Sequence, residues 1–409
     1  MRGIPKILYV TDPSNGCGHY RAAVVARALR RKGLAEARVP ERRDTEFEQD
    51  FRTADFIVHH TASSGHLYSY VRLMKRMKQQ CQVCDLDDNP WEVSPFNDAY
   101  VRWGTSERVG LGPDGRKQMI WQAGIDGFNP EDNEKELRRR VNMLRHAKLL
   151  TTTTPYLAQL FKEKIQKNVV ALPNCIDFHH WQPWPLAKNP DEIRVGWYGG
   201  ASHFEDVTFV FQNPDATHQS HILEWLMATY PQVKLVIYGT WFPFPFRDLP
   251  QERVEFHPWV HVDAHALKLA SLNLDIGLVP LRDTEFNRCK SELKWTEMSA
   301  LGVPCVISNV RPYSAVVKHG ETGLLVDGAG EWKAALSALV DDATLRQKIG
   351  QRAREYVREH YDIDRECVRW LEAYLEADRD YRWPAQVDSL TSGPTDVADK
   401  EGKTCQLAL

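Results

Sequence analysis

Short apolar runs alternate along the chain with segments in which apolar residues return at helical spacing. Lys6–Val10 (KILYV) stops at Thr11 and Asp12, the loop PSNGCGHY follows, and RAAVVARALRRKG keeps the helical period up to Gly33. These residues predict a strand, a glycine loop and a helix. Further on, Asp55–His59 reads as a strand, Tyr68–Gln80 as a helix, and CQVCDLDD as a buried strand that ends in acids. An irregular stretch from Asn89 to about Pro130 precedes a helix near Glu134–His146, the strand KLLTTTT, a helix after Pro155 and the strand NVVALPN. Residues 181–193, WQPWPLAKNPDEI, carry three prolines and read as a linker.

After the linker the alternation restarts. IRVGWYGG, VKLVIYG, LDIGLVPL, PCVIS and GLLV are strand candidates, a stretch ending VEFHPWV follows VKLVIYG, and helices are expected around 220–229, 265–270, 291–301, 331–339 and 343–360. Strands that alternate with helices build parallel sheets covered on both faces, so the fold class is α/β with two doubly wound halves. The expected units are a first domain 1–180, the linker 181–193, a second domain 194–362, an amphipathic helix 363–383 crossing back to the first domain, and a tail 384–409 expected to be mobile.

With 409 residues, 43 % hydrophobic and 26 % charged, the chain has the composition of a globular protein large enough for two cores. No apolar run approaches the roughly 18 residues of a membrane span, and Met1–Asp12 lacks a signal-peptide pattern. Charge is uneven: 28 Lys and Arg face 22 Asp and Glu over residues 1–185, against 24 and 33 afterwards. An anionic partner for the front half and a plain solvated surface both fit. Eight scattered cysteines point to a reducing compartment, the cytoplasm, and the lone pair Cys81 and Cys84 reads as strand residues rather than a zinc site.

In open α/β sheets ligands bind beyond the carboxyl ends of strands, where a glycine turn lets backbone N–H groups approach an anion. Gly16 and Gly18 are so placed in the first half, as are Gly199 and Gly200, followed by His203, in the second. GCGHYR departs from the dinucleotide fingerprint because Arg21 stands at the third glycine, and a simple tight turn is the alternative for Gly16 and Gly18. A helix starting near Ser291 would put Lys290 at its N-terminal mouth, where ammonium and helix N–H groups converge on a diphosphate. Lys294 and Glu297 follow one and two turns on, and an ionised carboxylate offers acceptors to both ribose hydroxyls. Ordinary exposed helix residues are the competing reading. Asp85, Asp87 and Asp88 end a strand on the side of the interdomain cleft and are general-base candidates, against metal ligation or turn capping. His59 and His60 end a neighbouring strand, and Trp91, Trp103, Trp121 and Phe128 either stack on a sugar or pack.

LPNCIDFHHW resembles the segment that closes the first domain of group 1 glycosyltransferases. KSELKWTEMSALGVPCVIS, with the later ETGLLV and HYD, resembles that family's nucleotide-binding segment. The resemblance covers most of residues 5–380, and CGHYR, DLDDNPW and GWYGGASHFEDV are most similar to a divergent branch carried by bacteria and their viruses. It implies the GT-B fold of two facing Rossmann-like domains, a nucleotide-sugar donor such as UDP-glucose, no metal or other cofactor, and transfer with retention. Carried over by position, Glu297 would hold the ribose. Lys290, Ser291, Lys294, Gly199, Gly200 and His203 would surround the diphosphate, joined by Gly16 and Gly18. Asp88, Asp87 and His60 are the catalytic candidates. Two departures stand out: the family's glutamate eight residues before Glu297 is Cys289, and its Arg and Lys after the first strand of the second domain are absent.

The implied acceptor is a glycan, a protein or a modified DNA base. The DNA reading draws on Arg72, Lys75, Arg76, Lys78 and Arg138–Arg140. If the chain is viral, its compartment is the host cytoplasm. The missing glutamate raises a sugar-nucleotide-binding protein without transfer activity as the alternative, and a two-domain dehydrogenase is a third.

Overall fold

The computed structural model describes residues 3–40, 45–60, 80–111, 117–185, 187–212, 221–242 and 246–379. The expected helix Tyr68–Gln80, apart from Gln80, the cluster Arg72, Lys75, Arg76 and Lys78, and the tail 384–409 lie outside them.

The first half contains β1 (Lys6–Val10), β2 (Glu36–Arg38), β3 (Phe56–His60), β4 (Cys81–Asp85), β5 (Arg108–Leu111), β6 (Lys117–Trp121), β7 (Leu149–Thr152) and β8 (Val169–Ala171). Six of these form one parallel sheet in the order β2-β1-β3-β4-β7-β8. β3 and β4 are buried on both faces, and their inner polar residues are paired with each other, His59 with Gln82 at 2.8 Å. The second half supplies β9 (Ile193–Gly199), β10 (Val233–Gly239), β11 (Val254–Pro258), β12 (Ile276–Val279), β13 (Cys305–Ser308) and β14 (Leu324–Val326). They form a second parallel sheet in the order β11-β10-β9-β12-β13-β14. Strand order reverses between β1 and β3 in one sheet and between β9 and β12 in the other, so both glycine loops leave from a crevice at a switch point.

The chain between the acids and Pro130 is more ordered than its sequence suggests. It holds a one-turn helix, Tyr100–Trp103, and the antiparallel hairpin β5-β6. Tyr100, Trp121 and Phe128 pack ring on ring with centroids 5.4–5.7 Å apart, so Trp121 and Phe128 form a small core instead of offering faces to a sugar. The helices Thr45–Thr53 and Phe204–Phe211 and the three-residue β2 are further elements that the hydrophobic pattern does not disclose.

Past Gly16–Gly18 the first helical segment widens into a π-helical turn, His19–Ala23, before continuing as Val24–Arg31. Asn15 caps it by accepting from the Gly18 N–H. Such widened turns often mark functional sites, and this one turns Tyr20 and Arg21 into the interior. At the far end, the helix Ile363–Ala377 crosses back as expected. It buries Trp370, Leu371 and Tyr374, lays Trp370 4.4 Å beneath the Arg21 guanidinium, and pairs Asp364 with Arg31 at 2.5 Å. No helix among the described residues is long and apolar enough to cross a membrane.

Candidate active site

A cavity of about 690 Å³ lies between the two sheets, lined from the first half by Ser14, Gly16, Cys17, Tyr20, Asp87 and Asp88. Gly199, Gly200, His203, Lys290, Lys294 and Glu297 line it from the second. Folding therefore gathers residues as far apart in sequence as Ser14 and Glu297, 283 positions.

On the second-domain side, the helix Leu293–Ala300 begins two residues later than its sequence predicts, with Glu292 at its cap. Lys290 consequently sits in the turn before the helix, not at its mouth, with its N–H donating to the Asn287 carbonyl at 3.1 Å. Lys294 is buried. Its ammonium donates to the Tyr198 carbonyl at 2.6 Å and lies 4.8 Å from the Tyr198 ring, and desolvation with the nearby Lys290 charge pulls its pKa down to about 7. His203 is bonded to Asp206 at 2.8 Å, and burial together with Lys294 and Lys290 depresses it to about 3, so it stands neutral. Asp206 is itself fixed by the Asn287 amide at 2.7 Å and the Arg282 N–H at 3.0 Å. A side chain at Gly199 would meet the Trp197 ring at 2.7 Å and the Lys294 ammonium at 3.1 Å, whereas Gly200 opens onto free space. Ser291 accepts from the Asn174 amide of the first half at 3.1 Å and lines the same cavity.

Glu297 is only 3 % exposed, which excludes the exposed-helix reading. Its Oε1 accepts from Tyr20 and faces His265 Nε2 at 3.1 Å, and its Oε2 accepts from Tyr198. Burial alone would raise its pKa. The His265 and tyrosine partners outweigh that and hold it below the usual carboxylate range.

On the first-domain side, Asp87 and Asp88 follow the end of β4. Burial pushes Asp87 up, but His60, 3.3 Å away, and the Cys17 thiol win and hold it low. Asp88 is open to the cleft, and the enclosing walls and the Asp87 charge lift it to about 6, with Lys290 opposing. Two adjacent carboxyls with values driven apart are what acid–base assignments look for. His60 does not line the cavity. It stands behind Asp87, bonded to Thr11 at 3.1 Å on its other nitrogen.

Three sequence expectations are corrected here. The Gly18 N–H is taken by Asn15 at 2.8 Å, and an added Cβ would lie 2.0 Å from the Asp12 carbonyl oxygen, so Gly18 makes the turn while Gly16 lines the cavity. Asp85 does not face the cleft: it is fully buried in a two-pronged pair with Arg21 at 2.9 and 2.7 Å. Arg140 is no surface contact for DNA, being 3 % exposed with its guanidinium 3.8 Å above the Trp103 ring. The exposed Arg138 and Arg139 pair with Glu134 and Glu136 of their own helix. Cys81 and Cys84 are buried strand residues, and no cluster of metal-ligating side chains occurs among the described residues. The sequence reading missed Tyr20, Tyr198, His265 and Trp259. Of these, Tyr20 carried a signal, since it directly follows the first glycine loop.

Two parallel α/β sheets facing each other across such a cleft define the GT-B class. Solved structures share it along nearly the whole chain. Sucrose-phosphate synthase from Thermosynechococcus elongatus superposes with a TM-score of 0.57 at 16 % identity over 92 % of this chain and 100 % of its own. A glycosyltransferase from Rickettsia africae gives 0.57 at 11 % over 93 % and 100 %. Anabaena HepE, solved with UDP and glucose, gives 0.54 at 15 % over 90 % and 98 %. Residues 219–342 match the family described as "Glycosyl transferases group 1". The match to this family thus falls in the second half of a GT-B fold that the chain shares along nearly its whole length. Among curated relatives, a D-inositol 3-phosphate glycosyltransferase of Paenarthrobacter aurescens is 37 % identical over 83 residues, 20 % of either chain. An N-acetyl-alpha-D-glucosaminyl L-malate synthase of Bacillus anthracis is 33 % identical over 126 residues, 30 % of this chain and 33 % of its own. The chain spans about a fifth to a third of the length of these two relatives.

Proposed function

We propose that the protein transfers a sugar from a nucleotide-sugar donor to an acceptor hydroxyl in the interdomain cleft. The observation that carries this is the division of the cavity: buried Glu297 and Lys294, half-buried Lys290 and the Gly199–Gly200 turn on one wall, and the Asp87–Asp88 pair on the other. The second wall takes the donor. Glu297 accepts from ribose hydroxyls, and the two lysines stabilise the departing diphosphate, the role that the absent Arg and Lys of the family pattern would otherwise fill. These cations supply the needed charge without a metal, so activity is expected to survive EDTA. Trp259, 44 % exposed at the rim, offers a ring for the base. HepE was solved with UDP and glucose and with UDP-glucose, which supports a UDP-sugar such as UDP-glucose as donor.

Asp88 meets the acceptor. At pH 7 a carboxyl with a value near 6 is ionised and able to take a hydroxyl proton. Transfer is proposed to proceed with retention, on the strength of the resemblance of the nucleotide-binding segment to group 1 glycosyltransferases. The acceptor is a glycan, because the first-domain half of the cavity offers the Asp87, Asp88 and Asp98 carboxylates and the Asn97 and Asn89 side chains, and its one lining cation among the described residues, Arg140, is stacked on Trp103 and makes no cationic track for DNA.

Thermal denaturation with UDP, GDP, ADP and their glucose conjugates tests the donor half. A rise for one nucleotide that is lost in Glu297→Ala supports the reading, and no rise with any of them overturns it. The Asp88→Asn protein should keep the nucleotide shift but lose transfer by roughly 10²- to 10⁴-fold. Retention is read from the anomeric proton of the product.

A further inference from the structure

We propose that Tyr20 makes the first domain part of the donor site: the ribose takes Oε1 of Glu297 from the Tyr20 hydroxyl, and this exchange reports donor occupancy to the Ser14–Cys17 loop. The proposal rests on the reading of Glu297 as the ribose acceptor.

The argument begins with capacity. A carboxylate has about four lone-pair positions. Three partners already face Glu297: Tyr20 and His265 on Oε1, Tyr198 on Oε2. A ribose diol brings two more donors, so one present partner has to leave. His265 is held on its other nitrogen by the Tyr238 hydroxyl at 3.0 Å, and Tyr198 belongs to β9, so both are built into the same domain as Glu297. Tyr20 comes from the other domain, 277 positions away, and can withdraw without breaking the second domain. The ion pairs nearby are weak, with His19 of its turn and Arg27 of the following helix facing the largely exposed Asp263 at 3.8 and 3.7 Å, so apart from its hydroxyl Tyr20 is held chiefly by non-directional apolar packing shared with the second domain.

Withdrawal has a direction. The residue after Tyr20, Arg21, is pinned to Asp85, so motion of the tyrosine is relayed to the chain before it. That chain is the Ser14–Cys17 loop, which borders Asp87 and Asp88 in the cavity. Donor binding is therefore coupled to the shape of the acceptor side.

Calorimetry with UDP, GDP and ADP, and amide hydrogen exchange over residues 14–24, test this in the full-length protein and in Tyr20→Phe. The variant is expected to bind the preferred nucleotide about five- to tenfold more tightly, because the competing hydroxyl is gone. In the unaltered protein that nucleotide is expected to speed exchange at 14–24, whereas in Tyr20→Phe exchange is fast from the start. Unchanged or weaker binding by the variant overturns the proposal, as does nucleotide-independent exchange in the unaltered protein, a readout that needs no variant. Failure of the unaltered protein to bind any of the three nucleotides overturns the donor-site reading itself and this proposal with it.

Discussion

Each half of the molecule buries a cation beside its glycine loop, and the two are treated in opposite ways. In the first half, Arg21 is saturated: it holds Asp85 with two prongs, donates to the Leu172 carbonyl at 2.5 Å and to Asn174 at 3.2 Å, and rests on Trp370. In the second, Lys294 is buried with one carbonyl partner at 2.6 Å and a second lysine nearby, and its pKa falls to about 7. Paired burial serves the fold. Burial that lowers a lysine's affinity for its proton leaves a site that gains when an anion arrives.

Substitutions at the two cations should separate stability from binding. Arg21→Met leaves Asp85 as an uncompensated buried charge and is expected to cost about 3–5 kcal/mol in chemical denaturation. Lys294→Met should leave denaturation unchanged or shifted toward greater stability, yet weaken UDP binding roughly 10- to 100-fold, the loss of one charge-assisted contact to the diphosphate. If Lys294→Met instead unfolds the protein as readily as Arg21→Met, the contrast between the halves collapses.

The glycine loops give a smaller version of the same contrast. Gly18→Ala drives a Cβ against the Asp12 carbonyl and should destabilise by about 1–3 kcal/mol. Gly16→Ala meets open space and should change stability by less than about 0.5 kcal/mol.

Proton linkage sharpens the comparison further. Lys294 titrates near 7 in the folded chain and at 10.5 in an unfolded one, so between those values the unfolded state binds more protons and stability rises with pH. Lys294→Met should abolish that contribution to the slope. A bound diphosphate favours the charged lysine, so above about pH 7 nucleotide binding should take up a proton, measured by calorimetry in buffers of different ionisation enthalpy. The proton count should fall toward zero in Lys294→Met.

Much of the architecture was legible without coordinates. Ten of the twelve described strands of the two sheets are readable in the sequence, most of them as the apolar runs that buried parallel strands need, and the returning helix shows its amphipathic face. The hairpin β5-β6 is not, since its register follows from a local aromatic cluster rather than from strict alternation. Lys290, Lys294 and Glu297 were legible as a set because one short segment carries them all.

What the sequence by itself determined is which residues stand at strand ends, for that depends only on local period and on the chain's turns. The tertiary structure alone decided how they are used. It sent Asp85 inward to Arg21 and left Asp88 in the cleft, though three positions separate them, because the strand's pleat and the turn after it point neighbouring side chains to different places. It likewise brought Tyr20 onto Glu297 across 277 residues, a meeting that no local pattern encodes, since it depends on how the two domains dock.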